Sequence, residues 1–297
     1  MRRRGDSGRV EDRSKGSGHS TFSDPGMLEF FSDSRRLPED LYPSELRFLP
    51  WLASESKTIL DVGCAVGGFA DIWTHFAPEV SYVGSDVSPE LIAAARRLRP
   101  SLRFEVGDAS RGLPFDDRGF DVVQGLGWLH WEPRFADALR EMWRMVDHRL
   151  FFDVRLARPG SGTIVGEQRL AFGTEGWDGE TTTPYIVVDL GNFVDLLLAL
   201  EPFRILAYGY LGEPDDLVVG IDGEVCFATF VLERSLVGGS TTGAWVDMPW
   251  NLPERPGLAR SGALAEVVPE PDPPRCGWVA TERADTRCLV RRSATPD

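Results

Sequence analysis

The stretch from Thr58 to Trp73, TILDVGCAVGGFADIW, constrains the fold of this 297-residue chain more than any other. An apolar run (Ile59, Leu60, Val62) encloses Asp61. It gives way to Gly63, Cys64, Ala65, Gly67 and Gly68, and then to apolar residues at helical spacing. That order reads as a buried parallel strand, a turn free of bulky side chains, and a helix N-terminus opening onto the turn. Such a turn lets a ligand approach the backbone, and the helix start offers unpaired N–H groups at the positive end of its dipole. Gly63, Ala65 and Gly68 fit a dinucleotide-type fingerprint with Ala in place of one Gly. The turn alone leaves open which nucleotide-like ligand it serves.

The surrounding chain alternates strand and helix. Strands are expected near 57–62, 80–85, 102–107, 119–125 and 149–155, and helices near 67–77, 88–98 and 133–146. Leu91, Ile92, Ala95 and Leu98 share one face of the second helix. Phe135, Ala138, Leu139, Met142 and Met145 do the same on the third. Short loops between alternating elements imply right-handed crossovers and a parallel sheet, with the ligand beyond the strands' carboxyl ends. A helix near 190–200 is followed by strands at 203–210 and 223–233. The link between those strands has no helix-length apolar pattern, so they read as an antiparallel pair. The expected architecture is an α/β, Rossmann-like, doubly wound and mostly parallel seven-stranded sheet. Its last strand is antiparallel and helices cover both faces.

Three segments depart from the alternation. Residues 1–26 carry Arg, Gly, Ser and Asp without periodicity and read as disordered. The domain spans 27–236, and within it residues 156–184, rich in Gly and Thr, read as an insertion or lid. Residues 237–297 shift to Pro, Gly, Ser and Arg and read as a mostly disordered tail, in which Trp245, Trp250 and Trp278 stand out.

A net charge of −14 disfavours a nucleic-acid partner. Four widely spaced cysteines (Cys64, Cys226, Cys276, Cys288) form no C-x-x-C pair, which argues against a zinc site or a disulfide scaffold. No metal, no membrane span and a reducing cytoplasmic setting are expected. Oligomeric state is not readable.

These residues resemble the class I S-adenosylmethionine-dependent methyltransferases over about 42–235. The resemblance rests on DVGCAVGG after the first strand, Asp86 ending the second, Gly107-Asp108-Ala109 ending the third, and FDVVQGLGWLHW at the fourth. Val146-Asp147-His148-Arg149 replaces the Pro-Gly-Gly turn common in relatives. YPSE, LFFDVRL, PYIVVDLGNF and AYGYLGEP look like one bacterial subgroup without an assigned acceptor. The resemblance implies S-adenosylmethionine as cofactor. It places Asp61 and Gly63 at the methionine end, counts Ala65 and Gly67 of the same loop among the cofactor contacts, and sets Asp86 on the ribose hydroxyls and Val87 on adenine. Asp108 would lie near the adenine amino group, and Ala109 after it and Gly125 ending the fourth strand are further expected cofactor contacts. A carboxylate suits a ribose diol on chemical grounds too, because it accepts both donors in charge-assisted bonds.

His130 is the candidate general base or acceptor-positioning group, its alternative being a ring packed between Trp128 and Trp131. Tyr42, Glu45, Trp128, Trp131, Arg155 and Tyr185 are candidate acceptor contacts. Asp153 with Arg155 reads either as a structural ion pair or as a substrate clamp. The expected activity is methyl transfer to an oxygen or nitrogen of a small molecule, such as a sugar, natural product or other metabolite. An NAD-dependent oxidoreductase and a non-catalytic S-adenosylmethionine-binding protein are the alternatives.

Overall fold

The computed structural model describes residues 25–33, 35–171, 181–235 and 242–269. Three helices open it: α1 (Pro25–Asp33), α2 (Pro43–Leu46) and α3 (Leu49–Ser54). The alternating core runs β1 (Thr58–Val62), α4 (Gly68–Phe76), β2 (Ser81–Asp86), α5 (Pro89–Leu98), β3 (Arg103–Val106), β4 (Phe120–Gly125), α6 (Phe135–Met145) and β5 (Val146–Ala157). Then come β6 (Ile164–Arg169), β7 (Thr182–Asp189), α7 (Leu190–Leu198), β8 (Arg204–Gly212), β9 (Val218–Val219), β10 (Val225–Glu233), β11 (Thr242–Asp247) and β12 (Leu258–Gly262).

The strand order is β12-β11-β8-β10-β5-β4-β1-β2-β3. Seven of these, from β8 to β3, form the expected sheet, with β10 antiparallel to both β5 and β8. Alternate residues along each central strand enter opposite layers. Leu60, Val123 and Phe152 join α6 and α7 on one face, while Ile59, Val122 and Phe151 join α3, α4 and α5 on the other. On the first face Phe152 stacks on Phe230, with ring centres 5.7 Å apart, and Phe193 meets both edge-on. Near-continuous apolar strands buried on both faces are what a parallel sheet under two helical layers requires.

Two expectations need correction. Residues 242–268 are not a loose tail: β11 pairs in parallel with β8, and β12 extends the sheet further. Thr242 and Ala244 are buried, Trp245 packs under the Arg204 guanidinium, and Leu264 and Val268 close the α3–α5 layer. Pro and Gly between these short pieces conceal an alternation only a few residues long. Arg47 then ties this segment to α2, donating to the Val268 and Pro269 carbonyls at 2.8 and 2.6 Å. The sheet also gains a side hairpin within the presumed lid. β6 and β7 pair antiparallel, β9 adds to β6, and β7 meets β5 through Leu156 and Ala157. Positions 172–180 of the lid, 1–24 of the N-terminal segment and Trp278 lie outside the described residues.

Candidate active site

The turn after β1 is held in the left-handed backbone region at Gly63, Ala65 and Gly67 (φ 76°, 48° and 81°). The Gly63 and Cys64 N–H groups donate to the Ser85 carbonyl at 2.7 and 3.0 Å, fixing the turn against β2. A Cβ on Gly63 would lie 2.4 Å from the Trp128 indole, which itself donates to the Val62 carbonyl at 2.7 Å. The space beside Gly67 is filled by Phe104, and that beside Gly125 by Met142 of α6. Close packing of the protein on itself therefore explains part of this glycine pattern. Trp128 lies on the turn and not with the other expected acceptor contacts.

Asp86, at the carboxyl end of β2, is buried. Its two oxygens accept the Ala65 and Ser88 N–H groups, each at 2.9 Å. The Val87 N–H bonds this carboxylate as well, and its remaining acceptor capacity suits a ribose hydroxyl. Burial raises its pKa. Val87 follows, half-buried. Gly67 caps α4 without a side chain, so N–H groups at that helix start are free for an anionic group. Donors at the helix start and a buried acceptor at the next strand end fit the charged and diol ends of S-adenosylmethionine. Asp108 is differently occupied: its Oδ1 accepts the Ser110 N–H and hydroxyl, and Arg111 pairs with Oδ2. Ala109 is buried in the core.

Asp61 is turned into the opposite layer. The Tyr82 hydroxyl and the Gln124 amide donate to its two oxygens at 2.5 and 3.0 Å, and Trp73 Nε1 donates to Gln124 at 2.9 Å. Desolvation pushes its pKa up to about 7.

Across the mouth, a second group of polar side chains is buried. The Arg35 guanidinium lies 4.8 Å from the ring centres of both Tyr42 and Phe69 and pairs with Glu45 Oε2. The same oxygen accepts the Tyr42 N–H at 2.9 Å. Asp153 accepts the Gly127 N–H at 2.6 Å through one oxygen and Arg155 Nη1 at 2.6 Å through the other. Arg155 also sits 4.6 Å over the Phe227 ring and hydrogen-bonds Tyr185. His130, in the turn Leu129–Trp131, packs at 4.9 Å against Trp131 and 5.1 Å against Tyr185. Burial and Arg155 hold its pKa well below the usual value, so the ring is neutral. Trp131 Nε1 donates to Gln168 of β6 at 2.7 Å, which joins the hairpin to this wall.

Tyr42, Glu45, His130, Trp131, Arg155 and Tyr185 are thus brought together, as their places in the sequence suggest. Sequence reasoning missed two contributors. Arg35 has no motif around it and acquires its role only when the segment after α1 folds across Phe69. α1 itself reads as an apolar onset, yet Met27 packs against Val66, Leu91 and Ala94, with Ala65 at its margin. It lies over the glycine-rich turn.

The methyltransferase domain family matches residues 59–149. A demethylmenaquinone methyltransferase of Deinococcus radiodurans is 38% identical over 100 residues, covering 32% of this chain and 41% of that one. A fatty-acid O-methyltransferase of Mycolicibacterium smegmatis is 36% identical over 119 residues, covering 39% and 43%. The chain spans less than half the length of these curated relatives. A solved structure of a putative S-adenosylmethionine-dependent methyltransferase from Listeria monocytogenes aligns with a TM-score of 0.43 at 14% identity, covering 65% of this chain and 99% of that one. The matched stretch runs from β1 into β5 and holds the glycine-rich turn, Asp86 and Asp108.

Proposed function

We propose that this protein transfers the methyl group of S-adenosylmethionine to an oxygen or nitrogen of a small-molecule acceptor. The observation that carries the reading is Asp86. It is a buried carboxylate at the end of β2, bonded to the turn that opens onto α4. Asp86 would hold the ribose hydroxyls, Val87 would pack on the base, and the turn with the α4 N-terminus would hold the methionine end. Asp108, already bonded to Ser110, would lie near the adenine amino group. When bound, the cofactor supplies an electrophilic methyl group on a sulfonium centre.

The protein's own part is positioning. Asp153 fixes the Gly127 turn from β5, and that turn carries Trp128 onto the cofactor loop and His130 toward the hairpin. Orienting donor and acceptor for in-line attack is the larger share of such catalysis, and burial of the wall excludes water. The relatives named above act on a quinone precursor and on fatty acids, so their acceptors do not agree with one another. Calorimetry with S-adenosylhomocysteine and NAD, followed by an acceptor screen with methyl-labelled cofactor, tests the reading. Binding of S-adenosylhomocysteine and label transfer are expected. Binding of NAD alone would overturn it.

A further inference from the structure

Buried polar atoms without a partner are rare in folded proteins, and each implies a missing neighbour. Four of them gather at one wall. Among the described residues, Glu45 Oε1, Arg35 Nε, Arg155 Nε and His130 Nδ1 have no hydrogen-bond partner. Their side chains are connected. Arg35 pairs with Glu45, and Arg35 Nη1 lies 3.8 Å from where a Cβ of Gly127 would be. The Gly127 N–H is bound by Asp153, which pairs with Arg155. The Glu45 side chain is fully buried and that of Arg155 is 8% exposed.

We propose that the methyl acceptor presents an uncharged hydroxyl to Glu45 Oε1, and that Glu45 takes the hydroxyl proton as the methyl group is transferred. This rests on the methyltransferase reading and specifies its acceptor. Three observations carry it. The unmet atoms comprise a carboxylate oxygen, which needs a donor, two guanidinium N–H groups, which need an acceptor, and the His130 Nδ1, which takes either role according to its tautomer. A hydroxyl is both, and it has two lone pairs, one to receive an arginine N–H and one to attack. An ionised carboxylate has no proton to give Glu45.

The second observation is charge. Arg35 and Arg155 are matched by Glu45 and Asp153, so the desolvated wall is neutral. An anionic acceptor would introduce an unpaired charge facing two carboxylates, which is costly out of water. Thirdly, Phe227, Tyr210 and Tyr185 form an apolar cluster beside Arg155, with Tyr210 and Phe227 stacked at 5.7 Å. That surface suits an acceptor whose hydroxyl sits on an apolar or aromatic skeleton.

The proton goes to Glu45 and not to His130, whose neutral ring next to Arg155 is a poor base. Burial raises the Glu45 pKa against the opposing effect of Arg35, which makes its carboxylate a better proton acceptor than a solvated one. The groups facing it are Arg35, Tyr42, Asp153 and Tyr210. The step balances. The hydroxyl oxygen bonds to the methyl carbon, the carbon–sulfur bond breaks with its electron pair left on sulfur, and the proton ends on Glu45.

The test loads the full chain with S-adenosylhomocysteine and titrates matched pairs, benzyl alcohol against benzoate and hexanol against hexanoate. The alcohol of each pair is expected to bind at least about tenfold more tightly. In Glu45→Gln that preference should collapse, with S-adenosylhomocysteine affinity retained. His130→Asn should keep the preference. Equal or tighter binding of the carboxylates, binding of neither class, or a Glu45→Gln chain with the preference intact would each overturn the proposal. The wild-type preference decides the case even where a substituted chain fails to fold. Failure of S-adenosylhomocysteine to bind overturns the cofactor reading itself.

Discussion

Asp61 and Asp86 stand 25 positions apart, both buried and both legible in the sequence as acidic residues at strand ends. Their surroundings assign them different work. Asp86 lies beside the turn at the strand end, so Asp86→Ala is expected to lose cofactor affinity by about 1–3 kcal/mol, roughly five- to 150-fold, because a diol loses its acceptor. Calorimetry with S-adenosylhomocysteine reads this directly, and unchanged affinity would refute it. Asp61 is a structural acceptor in the Tyr82–Gln124–Trp73 network. Its folded pKa, about 7, lies above the usual 3.8, so the native state binds the extra proton. That contribution to stability is complete at low pH and is lost as pH rises through 7. Asp61→Asn removes the titration while keeping groups that can bond Tyr82 and Gln124. The variant should gain in melting temperature relative to wild type between about pH 5 and about pH 8, and a difference independent of pH would count against this. Sequence reading located Asp61 correctly on its strand and placed it at the methionine end. Its actual partners follow from the register of β1 with β4, which sets Asp61 opposite Gln124.

At the scale of elements, the alternating core was readable because each strand is apolar and each helix has a one-sided pattern. The antiparallel β8–β10 pair was readable because its link lacks a helix. α1 was not, since its meaning depends on what it covers. Met27 is fully buried against Val66 and Leu91, across the turn proposed to hold the cofactor. Truncating it to Ala removes packing of a kind that costs about 2–5 kcal/mol in a core, with the loss capped by the docking energy of α1 itself. Met27→Ala should therefore accelerate hydrogen exchange across 25–33 and weaken S-adenosylhomocysteine binding several-fold, while β1 amides keep their protection. Equal acceleration in β1 would mean that α1 belongs to the global folding unit.

For the molecule as a whole, the composition of 237–297 concealed an extension of the sheet. Pro and Gly mark turns correctly, but strands as short as β11 and β12 carry too few residues for alternation to show. Deleting residues 237–297 would leave β8 as the sheet edge and strip Leu264 and Val268 from the α3–α5 layer. The deleted chain is expected to melt several degrees lower and to self-associate, because a bare edge strand templates further pairing. Wild-type melting and a monomeric scattering profile would show the extension to be dispensable.

The Arg47 latch has a consequence for how the chain comes into being. Its partners, Val268 and Pro269, follow it by 221 and 222 residues. During synthesis α2 and Arg47 emerge well before these partners and wait, with the guanidinium site incomplete, until Val268 and Pro269 have been made. The parallel core can assemble on the ribosome from its own successive crossovers. The wall that carries Tyr42 and Glu45 stands two to five residues from the latch. Its final setting therefore comes after the parallel core has been made, and a nascent chain arrested before Val268 should hold a folded core sheet beneath an acceptor wall still unlocked.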